Sequence, residues 1–111
     1  TINMANNYKF KGVALATSAE TALLTAASDE TIIIRSIRVT NNTSNTPTIS
    51  LDLSDSSASA EYTILKTQTL AANTAVEIIK VSLVLESSDV LKATISSSDS
   101  IHFGISYLVI T

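Results

Sequence analysis

The sequence contains no cysteine and no tryptophan, one proline and only two glycines. Without cysteine there can be neither a disulfide framework nor a thiolate metal site, so the stability of the fold must come from packing. The single proline and the two glycines leave few residues that are specialised for turns. Backbone positions with positive φ are therefore predicted to fall largely to Asn and Asp.

Charge is also scarce, with 15% charged residues and a formal net charge of -3. The seven basic residues are scattered, and without a Lys/Arg cluster the sequence predicts no nucleic-acid partner. No apolar run reaches the roughly 18 residues that a membrane-spanning helix needs, and the N-terminus lacks a basic region followed by an apolar stretch. We therefore expect neither a membrane partner nor a secretory signal.

Short segments of alternating apolar and polar residues fill the sequence from Tyr8 to Ile110, and Ser, Thr, Asn and Asp separate them. This spacing predicts an all-β fold, an antiparallel two-sheet β-sandwich of jelly-roll or immunoglobulin-like form with about eight or nine strands. The predicted domain covers residues 8–111. Residues 1–7 show no strand pattern and are either an arm that orders against a neighbour or a plain tail.

The strongest strand pattern contains a change of register. Ile32 and Ile34 share one face of an extended strand, whereas Ile37 and Val39 share the other. A β-bulge at residues 35–36 would bring all four side chains to the same face. The sequence therefore predicts a bulged strand, with partial burial of both faces as the alternative.

The pairing of the other strands is predicted from proximity along the chain. Residues 8–17 and 20–26 are expected to form a hairpin, and residues 87–89 are expected to be the tight turn of a second hairpin. Residues 76–86 could form one long strand. The last segment, residues 100–110, is apolar on both faces in its second half, so it should be central in a sheet or covered by a partner chain.

The sequence shows no recognisable catalytic or metal-binding motif. His102 is the only histidine and lies in the middle of a predicted strand, where a catalytic triad or metal cluster would need distant carboxylates to converge on it. Asp29 and Glu30, and the pair Asp52 and Asp55, lack the spaced ligands and the glycine of a calcium loop. The sequence predicts no catalytic residue, no metal site and no cofactor.

The aromatic residues are few, with three tyrosines and two phenylalanines. Most of them are predicted to face inward from their strands. Glycosidases and carbohydrate-binding modules stack sugars on exposed aromatic rings. This composition therefore argues against a glycosidase and weakens the case for a carbohydrate-binding module.

Several segments resemble small virion structural proteins of tailed bacteriophages, particularly marine and cyanobacterial phages. They are Ile32-Ile33-Ile34-Arg35-Ser36-Ile37-Arg38-Val39-Thr40-Asn41, Leu70-Ala71-Ala72-Asn73-Thr74, Val84-Leu85-Glu86-Ser87-Ser88-Asp89-Val90-Leu91-Lys92-Ala93 and Ile105-Ser106-Tyr107-Leu108-Val109-Ile110. The phage proteins that the sequence resembles have a Gly-Asp turn where this sequence has Ser88-Asp89. The resemblance brings no catalytic residue with it.

The resemblance implies a non-enzymatic virion protein, assembled in the host cytoplasm, in the form of a homo-oligomer. Its expected role is that of a capsid decoration or cement protein that binds the major capsid protein or other virion proteins. A neck or tail adaptor and a host-surface carbohydrate-binding module are the alternatives. An enzyme would need His102 in a concave pocket beside a carboxylate and a hydroxyl group.

Residues for a protein interface can be named from the strand patterns. Two arginines lie three apart on the most apolar strand, so one can anchor a contact while the other is solvated. The end of the last strand is apolar on both faces. The predicted interface residues are Arg35, Arg38, Tyr107, Leu108 and Ile110.

Overall fold

The computed structural model describes residues 5–111, which form nine β-strands and, within that range, no helix long and apolar enough to span a membrane. The strands are β1 (Asn6–Leu15), β2 (Thr21–Thr25), β3 (Thr31–Asn41), β4 (Thr48–Asp55), β5 (Ala60–Thr69), β6 (Ala75–Ile79), β7 (Leu83–Leu85), β8 (Val90–Ile95) and β9 (Ile101–Ile110). Of the predicted arm or tail, residues 1–4 lie outside the described residues.

The strands form two antiparallel sheets. Sheet A has the order β1-β9-β3-β6, with β7 also paired to β3, and sheet B has the order β2-β8-β4-β5. Since β6 and β7 follow one another along the same edge of β3, together they occupy one strand position. Two four-position sheets with this order are the jelly-roll arrangement. The predicted two-sheet β-sandwich is confirmed, and the jelly-roll alternative is the correct one.

The core lies between the two sheets and is built from the inward faces of their strands. The bulge predicted in β3 is confirmed, because the register against β9 shifts between Ile34 and Ser36. As a result Ile32, Ile34, Ile37 and Val39 are all at most 1% exposed. Full burial of one such side chain contributes roughly 1.5–3 kcal/mol, so the bulge retains two isoleucine-sized contributions that an unbulged strand would lose.

The two predicted hairpins are wrong. β1 pairs with β9 in sheet A, whereas β2 pairs with β8 in sheet B. The turn at residues 86–89 likewise carries the chain from β7 in one sheet to β8 in the other. Alternation identifies a strand but not its partner, and in a jelly roll most partners are distant in sequence.

The remaining strand predictions have mixed outcomes. The single long strand expected over residues 76–86 is divided into β6 and β7 by residues 80–82. The last strand, β9, lies between β1 and β3, so its predicted central position is confirmed. Neighbouring strands cover its edges and sheet B covers only its inner face, so they leave the apolar side chains on its outer face unexplained.

Positive φ values occur at Ser59, Thr67, Asn73 and Ser88 and at neither glycine. The expectation that Asn and Asp would take these positions is therefore correct for Asn73 alone. Because both glycines have ordinary extended backbone, their role must lie in the side chain that they lack.

Two buried polar side chains anchor loops at the ends of the sandwich. The amide of Asn41 donates hydrogen bonds to the carbonyl oxygens of Asn45 and Ala71, at 2.8 and 3.2 Å. The carboxylate of Asp89 accepts hydrogen bonds from the backbone N–H groups of Ser56 and Glu86, at 2.9 and 2.8 Å. Both residues are at most 2% exposed, so each satisfies backbone groups that would otherwise be buried without partners.

Candidate functional site

The outer face of sheet A carries a row of four apolar side chains, one from each strand position. Tyr8 of β1 lies opposite Leu108 of β9, Leu108 opposite Ile33 of β3, and Ile33 opposite Val84 of β7. Tyr8 is 72% and Val84 is 47% exposed, while the two central residues are half-buried. We call these four residues the apolar row. They form a continuous hydrophobic stripe that no part of the described chain covers.

The two glycines of the chain are direct cross-strand partners on the same face. Gly12 of β1 lies opposite Gly104 of β9. A Cβ atom added to Gly104 would lie 3.2 Å from Cε1 of Phe10, and one added to Gly12 would lie 3.5 Å from Cε2. The Phe10 ring therefore rests over both glycines, as aromatic residues do beside strand glycines. Since Phe10 is 71% exposed, much of the ring is still accessible to solvent.

A groove of about 540 Å³ adjoins the Phe10 ring. Its polar lining includes Arg38 and Glu77, which are cross-strand partners with 3.9 Å between Nη1 and Oε1. Both side chains are largely exposed, so this ion pair contributes less than about 1 kcal/mol to stability. The groove thus combines an aromatic surface with charged groups that remain free to turn toward a partner.

His102 also lines this groove, together with hydroxyl groups from Ser36, Thr40 and Ser106. Within residues 5–111 no hydrogen bond joins the imidazole to a carboxylate or a hydroxyl group. The mutual contacts that activate a serine or threonine nucleophile are therefore missing from the arrangement. The groove is thus lined by an imidazole, three hydroxyl groups and an aromatic ring.

The outer face of sheet B has a different character. The Lys92 ammonium group lies 3.9 Å from a carboxylate oxygen of Glu20 and 3.9 Å from one of Glu61, and Asp52 is its cross-strand partner. The three carboxylates are close enough together to hold a cation. The Lys92 side chain supplies positive charge among them, so the cluster is explained as a surface ion-pair network.

A second acidic group lies where the sheets meet, with Asp55, Glu86 and Asp89 close together. Asp89 uses both of its carboxylate oxygens to accept backbone hydrogen bonds. Asp55 accepts from the hydroxyl group of Ser57 at 3.0 Å. These contacts give the two aspartates structural roles in turns.

The structure separates the predicted interface residues into three groups. Arg38, Leu108 and Ile110 lie on the outer face of sheet A. Leu108 belongs to the apolar row, Ile110 lies two residues beyond it on β9, and Arg38 lies further along the face, opposite Gly104. Arg35 is exposed at the bulge of β3. Tyr107 lies on the inner side of sheet A, where it packs against the core.

Sequence reasoning missed most of the exposed apolar residues of this face. The prediction that most of the five aromatic residues face inward is wrong, because Tyr8 and Phe10 of this face and Tyr62 of sheet B are 72%, 71% and 52% exposed. The core-side positions Lys9 and Lys11 of β1 are also exposed, because sheet B does not cover the first half of this strand. The signal that could have revealed the site is the position of both glycines in the middle of strands.

Solved structures with a similar fold come from unrelated assemblies. A protein of Bacillus endospore appendages, which form disulfide-linked pili, matches with a TM-score of 0.55 and 7% identity over 96% of this chain and 86% of its own. A chain of infectious bursal disease virus, Gx strain, matches with a TM-score of 0.60 and 12% identity over 98% of this chain. The present chain spans 32% of that viral chain.

The core of a Drosophila nucleoplasmin-like protein, studied for pentamer formation and histone binding, matches with a TM-score of 0.54 and 17% identity over 88% of this chain and 96% of its own. No protein-family model and no curated protein sequence matches the chain. At these identities the similarities establish the jelly-roll fold alone.

Proposed function

We propose that the chain is a non-enzymatic structural protein of a virus particle. The observation that carries this proposal is the uncovered apolar row on the outer face of sheet A. Proteins that act as single domains rarely expose a contiguous apolar surface, and such a surface is typical of an interaction site. Jelly-roll chains in viral, pilus and pentameric assemblies support the idea of a subunit that is repeated in a larger structure.

Within the virion, the role proposed is that of a capsid decoration or cement protein of a tailed bacteriophage, which binds the major capsid protein. The resemblance of its strand-and-turn segments to small phage virion proteins supports this role. A domain with few charges can bury flat surfaces against identical copies and against a shell. Many weak contacts repeated by symmetry then give the affinity.

Sedimentation of the purified chain with empty phage shells and, separately, with isolated tails tests this proposal. A decoration protein should sediment with shells in a fixed ratio to the major capsid protein and should not sediment with tails. Binding to tails alone, in a small fixed number, would replace decoration with a neck or tail adaptor role. A chain that sediments with neither particle would contradict the proposal.

The groove beside Phe10 favours one second candidate, a host-surface carbohydrate-binding module. An exposed ring can stack on a sugar, and Arg38 and Glu77 lie close enough to bond its hydroxyl groups. Titration calorimetry with soluble oligosaccharides tests it, with Phe10→Ala as the binding-deficient variant. Saturable heat that this substitution abolishes would favour the module over the virion protein.

A further inference from the structure

The outer face of sheet A is complementary to a second copy of itself. It presents four strand positions in the order β1, β9, β3 and β6/β7. Consider a two-fold axis that runs along the strands midway between β9 and β3, with a second sheet A facing the first. Such an axis places β1 over β6/β7 of the other copy and β9 over β3, while each cross-strand row stays in line with itself.

The apolar row matches itself under this operation. Tyr8 would face Val84 of a second copy, and Leu108 would face Ile33. Every contact in the row is then apolar against apolar, and the two most exposed side chains pair a large residue with a smaller one. A row of four polar residues would provide no such gain on burial.

The row that contains both glycines is also complementary to the same row of a second copy, for a different reason. Its four positions are Gly12, Gly104, Arg38 and Glu77, so two neighbouring positions lack side chains and the other two carry long ones. The two-fold operation places each long side chain over a glycine of the other copy, Arg38 over Gly104 and Glu77 over Gly12. The guanidinium group would then lie against the Phe10 ring, in a cation–π contact.

The size of the face fits a dimer interface. Four strands at about 4.8 Å spacing and nine residues at about 3.4 Å each give a flat area of roughly 600 Å². Protruding side chains raise the accessible area toward the roughly 800 Å² that each partner contributes to a standard protein–protein interface. The apolar row alone would be too narrow, so the whole face must take part.

The sheet edges are less suited to association than this face. In sheet A, the edge strand β1 carries Lys9 and Lys11 on its core side, and the opposite edge is broken at residues 80–82. In sheet B, the short edge strand β2 has a register shift at residues 22–24, and β5 has Thr67 at φ 49° beside shifted register. Such devices block edge-to-edge pairing.

We infer that a second copy of this chain covers the outer face of sheet A, in a two-fold dimer whose axis runs along the strands between β9 and β3. This inference rests on the proposed structural role, in which the chain is one of many identical copies in a particle. The dimer leaves the outer face of sheet B and the loops at both ends free for the particle. It also buries the groove beside Phe10, so the inference excludes glycan binding there.

A pair of introduced cysteines tests the geometry without interference, because the chain has none of its own. Tyr8 and Val84 lie three strand spacings apart, about 14 Å, too far for a disulfide within one copy. The proposed dimer brings Tyr8 of each copy over Val84 of the other. Sheets that face each other lie about 10 Å apart, which is also too far for a direct disulfide, so a thiol-reactive cross-linker of about 8 Å is used in place of oxidation. The double variant Tyr8→Cys/Val84→Cys should then give a covalent dimer on a denaturing gel, and each single variant should give mostly monomer.

The matched control uses the equivalent row of sheet B, in which Ala22 and Thr63 hold the two end positions. The double variant Ala22→Cys/Thr63→Cys should stay monomeric on the gel after the same treatment. Equal cross-linking of both double variants would mean random collision and would overturn the inference. So would a wild-type chain that light scattering shows to be a monomer at every concentration.

The inference and the proposed function can fail separately. A covalent dimer that does not sediment with shells or tails would leave the dimer intact and contradict the virion role. A monomer that sediments with shells would keep the role and overturn the dimer. A monomer that binds oligosaccharides through Phe10 would overturn both.

Discussion

The outer faces of the two sheets differ more than their inner faces do. Both inner faces are packed with Ile, Leu and Val, as the core of any sandwich requires. Outside, sheet A presents Tyr8, Leu108, Ile33 and Val84 in one row, whereas the comparable row of sheet B centres on Lys92 and its carboxylates. The two sheets can therefore be told apart by the residues of their outer faces, and the apolar outer face of sheet A is the one on which we propose that a partner binds.

The two outer faces differ in the free energy of removing them from water. Covering the apolar row releases water from hydrophobic surface, at roughly 25 cal/mol per Å². Covering the network around Lys92 would take several charges out of water, and only a partner with well-placed opposite charges could compensate for that. We therefore expect substitutions on the outer face of sheet A to change dimer formation and substitutions on the outer face of sheet B to leave dimer formation unchanged.

The largest effect is expected from a charge at the centre of the apolar row. Leu108→Lys should raise the dimer dissociation constant on the order of 100-fold, because the residue enters a two-fold interface twice. Thr94→Lys, on the outer face of β8, is the matched control and should leave it unchanged. Analytical ultracentrifugation measures both constants, and equal effects would remove the distinction between the faces.

Substitution of Asp89 should lower the stability of the fold without changing dimer formation. Asp89→Ala removes a buried acceptor of two backbone hydrogen bonds and should lower the free energy of unfolding by roughly 2–4 kcal/mol. Urea denaturation measures this loss. Asp55→Ala, at a less buried turn, is the control and should cost clearly less. Assembly by folded Asp89→Ala protein should match wild type, whereas selective loss of the dimer would contradict the assignment.

Phe10→Ala separates stability from association on sheet A itself. The ring is exposed and covers two glycines, so its loss should cost about 1 kcal/mol or less in stability. The dimer dissociation constant should rise about tenfold, because the Arg38 side chain loses its aromatic contact. Thermal unfolding and ultracentrifugation on the same sample compare the two effects. Unchanged association would exclude the ring from the interface.

The strands of this fold were predictable from the sequence, and their pairing was not. The register change between Ile34 and Ile37 required a bulge because burial of both residues outweighs a regular ladder. The partners of β1 and β2 were missed because pairing in a jelly roll depends on contacts far apart in sequence.

The candidate site was partly predictable for a related reason. Leu108 and Ile110 stood out because β9 is apolar on both faces. Tyr8 and Phe10 were not recognised as exposed, because alternation reveals two faces without saying which is covered. The exposure of Lys9 and Lys11 on the inner face of β1 follows from the limited reach of sheet B, which no local pattern encodes.

Replacement of Ser88 by glycine is expected to raise the stability of the fold slightly. It lies at φ 68°, where glycine avoids the strain of a side chain but loses more conformational entropy on folding. Ser88→Gly should therefore stabilise the chain by about 0.5 kcal/mol, measured by urea denaturation. Ser87→Gly, which removes a 2.7 Å hydrogen bond to the carbonyl oxygen of Ser28, should destabilise it. Destabilisation by both substitutions would contradict this account of the turn.

The smallest effect is a pH dependence that comes from Asp99. Hydrogen bonds from Ser97 and then Asn45 hold the pKa of this carboxyl group below its ordinary value of 3.8. A lowered folded-state pKa adds stability above the unfolded value, and that stability is lost as the pH falls through the folded value. Asp99→Asn should reduce the change in melting temperature between pH 5 and about pH 2.5. An unchanged pH profile would contradict the assignment.

The central claim is that the outer face of sheet A is covered by a second copy. Light scattering of the wild-type chain across a range of concentrations tests this claim most directly. The account predicts a mass that approaches twice the 11.7 kDa of one chain and that returns to one chain on dilution. A mass that stays at one chain throughout, or that rises without limit into larger aggregates, would contradict it.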